Sequence, residues 1–417
     1  FMSASKFGPV RSLETDFDHT DPEYNRSAPE IWAALRGKCP VAHSDRFGGV
    51  WLPLTHEFVR EIAYDTEHFS SVDVVVNEVR GGGEAPQGSS PPITSDPPFH
   101  AQARRLLLPS FAPKKIAAHE EEIRAVCRAR LDDMGAVSPG DVIDASTQFA
   151  QHIPVRIIGR MVGVPPEDDA LLLDFVYAML EAVSLSADEQ RPVREHMDEY
   201  FDALIERHKN VPEDNLTTLL LNSELMGEPL DHRHIRGTIT LLMIAGIDTT
   251  WSAIGSSLHH LATHPNDLKR MGTEADLMPT AIEELLRAYA PVTMARVVKK
   301  AVDFHGCPMA ENEWVLLPFP AANRDPEVFE RPDEVLLDRA ENRHVAFGLG
   351  AHRCLGSSLA RLELRVGLEE FMARFPRFEL VDPAEVQWSV GQIRGPRSLP
   401  IRVLEVSGPV SSEASSP

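Results

Sequence analysis

Residues 231–263 run without a proline and are dominated by apolar side chains. The stretch exceeds the roughly 25 residues of an ordinary globular helix. At about 1.5 Å of rise per residue it predicts a helix of roughly 50 Å, enough to cross a whole domain. Its apolar pattern is interrupted once, by Ala245-Gly246-Ile247-Asp248-Thr249-Thr250. Glycine inside a helix costs about 1 kcal/mol relative to alanine, and a buried aspartate costs more unless it is hydrogen-bonded. Such a turn points to function, as a place where the helix opens to admit a small molecule and protons. Thr249 and Ala245 lie four residues apart and so share a face. The plainer alternative is that Thr249 back-bonds to the Ala245 carbonyl while Asp248 is a solvated charge.

A second helical pattern, Leu355, Leu359, Leu362 and Val366, follows Phe347-Gly348-Leu349-Gly350-Ala351-His352-Arg353-Cys354-Leu355-Gly356. One thiol is ringed there by glycines that allow close approach to a flat ligand or positive φ. Arg353, His352 and the N-terminus of the coming helix are expected to favour the metal-binding thiolate over the thiol. Further upstream, His100 and Arg104 stand four apart on a predicted helix, and Glu284 and Arg287 three apart on another. The run Pro291-Val292-Thr293-Met294-Ala295 reads as a strand, with Arg296 just beyond it. Gly81 to Pro98, rich in Pro, Gly and Ser, reads as a long loop rather than a linker.

The glycine-ringed cysteine followed by Leu359-Ala360-Arg361 resembles the haem-binding loop of the cytochrome P450 family. Three further segments repeat the resemblance in order: the turn at Asp248-Thr249, the Glu-x-x-Arg pair Glu284 and Arg287 with Arg339 as third member, and His100 with Arg104. Ala322-Asn323-Arg324-Asp325-Pro326 and Arg394-Gly395-Pro396-Arg397-Ser398-Leu399-Pro400 are typical of soluble bacterial members. The resemblance runs from about Pro22 to Val403. It implies a mainly α chain with small β-sheets (α+β), in the single large triangular fold of that family. Residues 22–406 would be the haem domain, residues 1–21 a loosely ordered N-terminal arm, and residues 407–417 a disordered tail or linker stub.

The same resemblance implies a site. Cys354 would be the axial ligand of haem b (iron protoporphyrin IX), within a loop made by Phe347, Gly348, Gly350 and Gly356. His100, Arg104, Arg296 and His352 would bind the haem carboxylates, Ala245 and Gly246 would face the haem, and Asp248 with Thr249 would relay protons. Glu284, Arg287 and Arg339 would hold the haem-side loop, a structural role. By position, Val75, Val76, Phe175, Met179, Leu242, Met243, Val292, Met294 and Ile393 would line the substrate pocket, within stretches from Val72 to Val79, Phe175 to Leu185 and Gly391 to Ile393. Met243 and Met294 could equally be core packing. Little charge lies in these stretches apart from Asp73, Glu78 and Glu181, which favours a neutral, mainly apolar small substrate.

A thiolate ligand favours O–O cleavage, so the implied activity is a monooxygenase using dioxygen as co-substrate, by hydroxylation, O- or N-dealkylation, or epoxidation. A peroxide-driven haem oxidase and a non-catalytic haem gas sensor are the alternatives. The chain carries no dinucleotide fingerprint and no iron–sulfur cysteine cluster, so NAD(P)H would act through an external ferredoxin and its reductase, or through a reductase fused beyond residue 417. Cysteines 39, 127, 307 and 354 show no Cys-x-x-Cys spacing and offer neither a zinc site nor a disulfide framework.

The balance of 63 acidic against 41 basic residues, a net charge of −22, argues against nucleic acid as a partner. It would also repel an acidic ferredoxin at long range, so docking requires a locally basic face, expected from Arg105, Lys114, Lys115, Arg353, Arg361 and Arg365. The N-terminal residues lack both a signal core and a membrane span, and a cytoplasmic, monomeric protein is expected.

Overall fold

In the computed structural model, residues 7–76, 85–180 and 187–408 are described. Expectations that fall on Glu78, Val79, Glu181, Leu185 or the tail from residue 409 therefore lie outside them. The chain is mainly helical, and its strands are gathered into small sheets. The largest sheet has five strands in the order Val41–Ser44, Val50–Pro53, Trp314–Pro318, Thr293–Val298, Phe69–Ser70, antiparallel except for the Trp314–Pro318 pairing with Val50–Pro53.

The long apolar run forms one helix, His232–Thr263. The Asp231 side chain caps it by accepting from the His234 amide, and Pro265 follows the C-cap at His264, opening the next helix. Although it is long and apolar enough to cross a membrane, 61% of its most apolar window is buried inside the protein. It is a core helix, packed against His152–Val162 and against Ser357–Arg374, the helix that follows Cys354. The principal core gathers Ile157, Ile158, Ile239, Ile247, Trp251 and Phe371 around it.

Two expectations change here. The helix is continuous through residues 245–250, so no break opens in it. Gly246 instead allows close helix packing, because a Cβ there would stand 2.9 Å from Ile158 Cγ1. In addition, the stretch expected to be a loose arm is partly woven into the fold. Phe17 and Asp18 are buried, and the Arg46 guanidinium donates to Asp16 at 2.8 Å and to Asp18 at 2.9 Å.

The loop ahead of His100 lies on the N-terminal part of the long helix, where Thr238 donates to the Pro91 carbonyl at 2.9 Å. The helix Met278–Ala288 presents Glu284 and Arg287, both fully buried. Glu284 accepts from Arg287 at 2.8 and 2.9 Å, from Arg339 at 2.9 Å, from the Leu336 amide at 2.8 Å and from Asn342 at 3.1 Å. Burial alone would raise its carboxyl, but these donors, Arg287 foremost, outweigh burial and hold it below its ordinary value. Arg287 in turn donates to the carbonyls of Asn323, Pro332 and Glu334, which fastens the meander leading to the cysteine loop.

Candidate functional site

Cys354 ends a tight loop whose shape depends on glycine. Gly350 adopts φ +67°, and a Cβ there would stand 2.8 Å from the Ala63 carbonyl oxygen. The Cys354 amide closes the loop by donating to the Phe347 carbonyl at 2.7 Å, and Arg361 covers the Phe347 ring with its guanidinium 4.4 Å from the centroid. The cysteine itself stays exposed. The surrounding shell of protein nevertheless desolvates its sulfur and pushes the thiol up, against the lowering effect of the Gly356 amide and of Arg104, Arg353 and Arg361. Contrary to expectation, the protein alone does not favour the thiolate. A bound cation would, because coordination itself deprotonates a thiol.

Beside the cysteine, residues far apart in sequence converge. The rings of His100 and His352 lie 4.1 Å apart, and the charges of Arg104 and Arg296 act on both. Arg104 donates to the Arg353 carbonyl at 2.6 Å. Arg296 lies inside strand Thr293–Val298, buried, and donates to the carbonyl of Ala295. Burial first, and then the neighbouring arginines, lower His100 to about 4 and His352 to about 2. The four expected partners of the carboxylates are therefore two guanidiniums and two imidazoles that burial holds toward the neutral form. His352 Nε2 meets the Ser71 hydroxyl at 3.0 Å, whereas His100 Nε2 is buried without a partner.

An unpartnered buried imidazole nitrogen next to two desolvated guanidiniums matches a ligand carrying carboxylates, since such groups pair when taken from water. An exposed sulfur at a glycine-shaped loop matches a metal at the same ligand. Together the donor set fits iron protoporphyrin IX, with Cys354 toward the metal and His100, Arg104, Arg296 and His352 toward the carboxylates.

On the long helix Ala245 is exposed and Thr249 half-buried, and Thr249 Oγ1 donates to the Ala245 carbonyl at 2.7 Å. The back-bond weighed from sequence is present, but Asp248 is no solvated charge. It is fully buried and accepts from Arg397 at 2.8 Å, with Ser252 Oγ at 3.5 Å. Arg397 also donates to Ser252 Oγ at 3.1 Å and covers the Trp251 ring at 4.5 Å. In the sequence Arg397 stands out only as part of the motif Arg394-Gly395-Pro396-Arg397-Ser398-Leu399-Pro400. No local pattern reveals a partner so distant in sequence.

The expected pocket residues divide. Val75, Met179, Val292, Met294 and Ile393 are half-exposed, and Val292 bridges Ile393. Val76, Phe175, Leu242 and Met243 are buried within the core clusters. Phe175 packs against His196, Tyr200 and Phe201 of the neighbouring helix Ala187–Asn210, because its own helix Asp169–Leu180 turns that face inward.

The expected basic face is also smaller. Arg361 is held by Glu283 at 2.6 and 2.8 Å, and Arg365 by Glu120 and Glu369, leaving Arg105, Lys114, Lys115 and Arg353 exposed.

A family model described as Cytochrome P450 matches residues 168–388. Steroid C26-monooxygenase of Mycolicibacterium smegmatis is 32% identical over 92% of this chain and 94% of its own length. Mycinamicin IV hydroxylase/epoxidase of Micromonospora griseorubida is 30% identical over 84% of this chain and 89% of its own. Among solved structures, CYP109E1 from Bacillus megaterium in complex with testosterone superposes with a TM-score of 0.83, at 29% identity, over 92% of this chain and 99% of that one.

Proposed function

Because the chain belongs to the cytochrome P450 family, whose bacterial-type relatives are monooxygenases, we propose that it inserts one atom of dioxygen into a small, mainly apolar organic substrate. The reaction would be a hydroxylation, a dealkylation at O or N, or an epoxidation, fed by electrons from an external partner. The observation that carries this reading is the meeting of the exposed Cys354 sulfur with a cluster of His100, Arg104, Arg296 and His352 in which His100 Nε2 is buried and unpartnered. When bound there, a thiolate-ligated haem supplies the dioxygen-activating chemistry.

The chain's own residues have four tasks in this reading. Cys354 supplies the sulfur, oriented by the Gly356 amide. Arg104 and Arg296 would neutralise the carboxylates, with His100 Nε2 as a further hydrogen-bonding partner. Thr249 offers its hydroxyl on the exposed face of the long helix, and Asp248, held by Arg397, exchanges protons with it. The half-exposed Val75, Val292, Met294 and Ile393 present an apolar wall that excludes water from a bound substrate. Two relatives are named for acting on a steroid and on mycinamicin IV, which suits an organic small-molecule substrate.

Electrons would come from a small acidic ferredoxin and its NAD(P)H-dependent reductase, docking on the exposed Arg105, Lys114, Lys115 and Arg353 of a cytoplasmic, monomeric protein. The buried Asp248 beside Thr249 favours dioxygen over peroxide as oxidant, because a peroxide user needs no proton relay. The test supplies NAD(P)H with ferredoxin and reductase, or hydrogen peroxide alone, to the parent and to Thr249→Ala. The variant should keep NAD(P)H consumption while diverting electrons to hydrogen peroxide. Full coupling of NAD(P)H to product in Thr249→Ala, or turnover by peroxide alone in both proteins, would refute this reading.

A further inference from the structure

Gln392 is a buried side chain with no place in the steps above, yet it touches three walls of the proposed pocket. Its Oε1 accepts from the Val76 amide at 2.5 Å. Its Nε2 donates to the Val74 carbonyl at 3.0 Å and to the Thr293 carbonyl at 2.8 Å. Its backbone joins in, since the Thr293 amide donates to the Gln392 carbonyl at 2.8 Å. The Ala295 amide donates to the Val74 carbonyl at 3.0 Å, and Val292 bridges Ile393. One carboxamide thus fastens the loop at residues 72–76, strand Thr293–Val298 and the turn at residues 391–393 to one another.

The chemistry demands this residue type. Two carbonyls need donors and one amide needs an acceptor, and a primary carboxamide is the neutral side chain that supplies both donors and the acceptor from one planar group. Glutamate would turn an oxygen toward two carbonyl oxygens, and leucine would take this partner from the Val76 amide and the Thr293 carbonyl and leave the Val74 carbonyl with the Ala295 amide alone. The half-exposed side chains beside these bonds, Val75, Val292, Met294 and Ile393, are the ones assigned to the wall. We propose that Gln392 is the positioning residue for substrate selection, fixing the spacing of the three wall segments and so the shape of molecule the pocket accepts. This rests on the pocket assignment made under the proposed function. These hydrogen bonds of Gln392 run to the wall segments and not to Cys354 or the histidine and arginine cluster, so its loss should change selection and leave the haem site intact.

Two azoles of different size separate these effects in the holoprotein. Imidazole needs only the metal, whereas clotrimazole also fills the space between the walls. Spectral titration of Gln392→Leu and Gln392→Glu should show imidazole binding within about twofold of the parent and clotrimazole binding weakened roughly tenfold, since wall segments no longer pre-organised must be ordered by the ligand. Clotrimazole affinity equal to or tighter than the parent's, or an equal weakening of both azoles, would overturn the inference. Absence of any imidazole-induced spectral shift in the parent would instead overturn the haem-thiolate reading, and this inference with it. Should neither variant retain haem, amide exchange in the parent decides. The Val76 amide should be protected as strongly as strand Thr293–Val298, and exchange at an open-loop rate would overturn the brace.

Discussion

Glu363 lies on the helix Ser357–Arg374, 1% exposed, with Oε1 buried and unpartnered. Burial raises its carboxyl from 4.5 to about 8, only partly opposed by the Thr250 hydroxyl. The unfolded chain releases this proton near 4.5 and the folded protein near 8, so the stability lent by the neutral acid is complete below pH 4.5 and is lost as pH rises toward 8. Each pH unit in that window costs about 1.4 kcal/mol, which amounts to roughly 3 kcal/mol at pH 7. Glu363→Gln removes the titration while keeping the shape. The amide hydrogens it introduces beside the unpartnered position cost about 1 to 3 kcal/mol, but that penalty does not vary with pH. The signature is therefore the slope: relative to the parent, the variant should gain roughly 3.5 kcal/mol between pH 5 and pH 8. With about 2.1 cal/mol/K of unfolding entropy per residue, the 417-residue chain moves about 1 °C per kcal/mol, so calorimetry should find the difference in Tm widening by roughly 4 °C over that range. A difference in Tm that is flat from pH 5 to pH 8 would refute the reasoning, because it would mean that the carboxyl ionises in the folded protein as it does in water.

Three other changes probe the rest of the site. Cys354→Ser should abolish the red-shifted Soret band of the reduced carbon monoxide complex, and an unchanged band would remove Cys354 as the ligand. Glu284→Gln leaves Arg287 and Arg339 buried beside a neutral amide, which should cost about 3 to 5 kcal/mol and lower haem retention, read by calorimetry and by the haem to protein absorbance ratio. Charge reversal at Arg353 or Lys115 should slow reduction by an acidic ferredoxin and flatten its salt dependence, with imidazole binding unchanged. Equal rates and salt slopes in parent and variants would place docking elsewhere.

What the sequence made legible followed from local rules. The long helix was visible because a proline-free apolar run with an Asp cap has few alternatives, and its observed bounds, His232–Thr263, differ from the expected 231–263 by the cap residue. The glycine-shaped cysteine loop was legible for the same reason, since chain neighbours make it. Errors arose where distant segments decide the environment. Gly246 looks like a helix-weakening residue until Ile158 is seen against it, and His352 looks cationic until burial and two arginines are counted. Phe175 belongs to an apolar stretch in sequence, but only the packing of Ala187–Asn210 shows which way it faces. Arg361 and Arg365 look like free charges in the sequence, because Glu283 and Glu120, which hold them, lie on other helices.

The ion pair between Asp248 and Arg397 bears on how the proposed relay can work at all. A buried carboxylate paired at 2.8 Å to a guanidinium that is itself held by Ser252 and the Trp251 ring is costly to detach. The mobile member of the pair must then be Thr249, whose back-bond to Ala245 is a single neutral hydrogen bond worth about 1 kcal/mol. A preference of that size leaves roughly 15% of molecules with the hydroxyl turned elsewhere at any moment, without breaking the helix or the ion pair. In the proposed relay, proton transfer would be gated by this side-chain rotation, with the Asp248 carboxylate fixed in place as the group that exchanges protons. Removal of the Arg397 charge should accordingly shift the pH profile of coupling, while removal of the Thr249 hydroxyl should lower coupling at every pH.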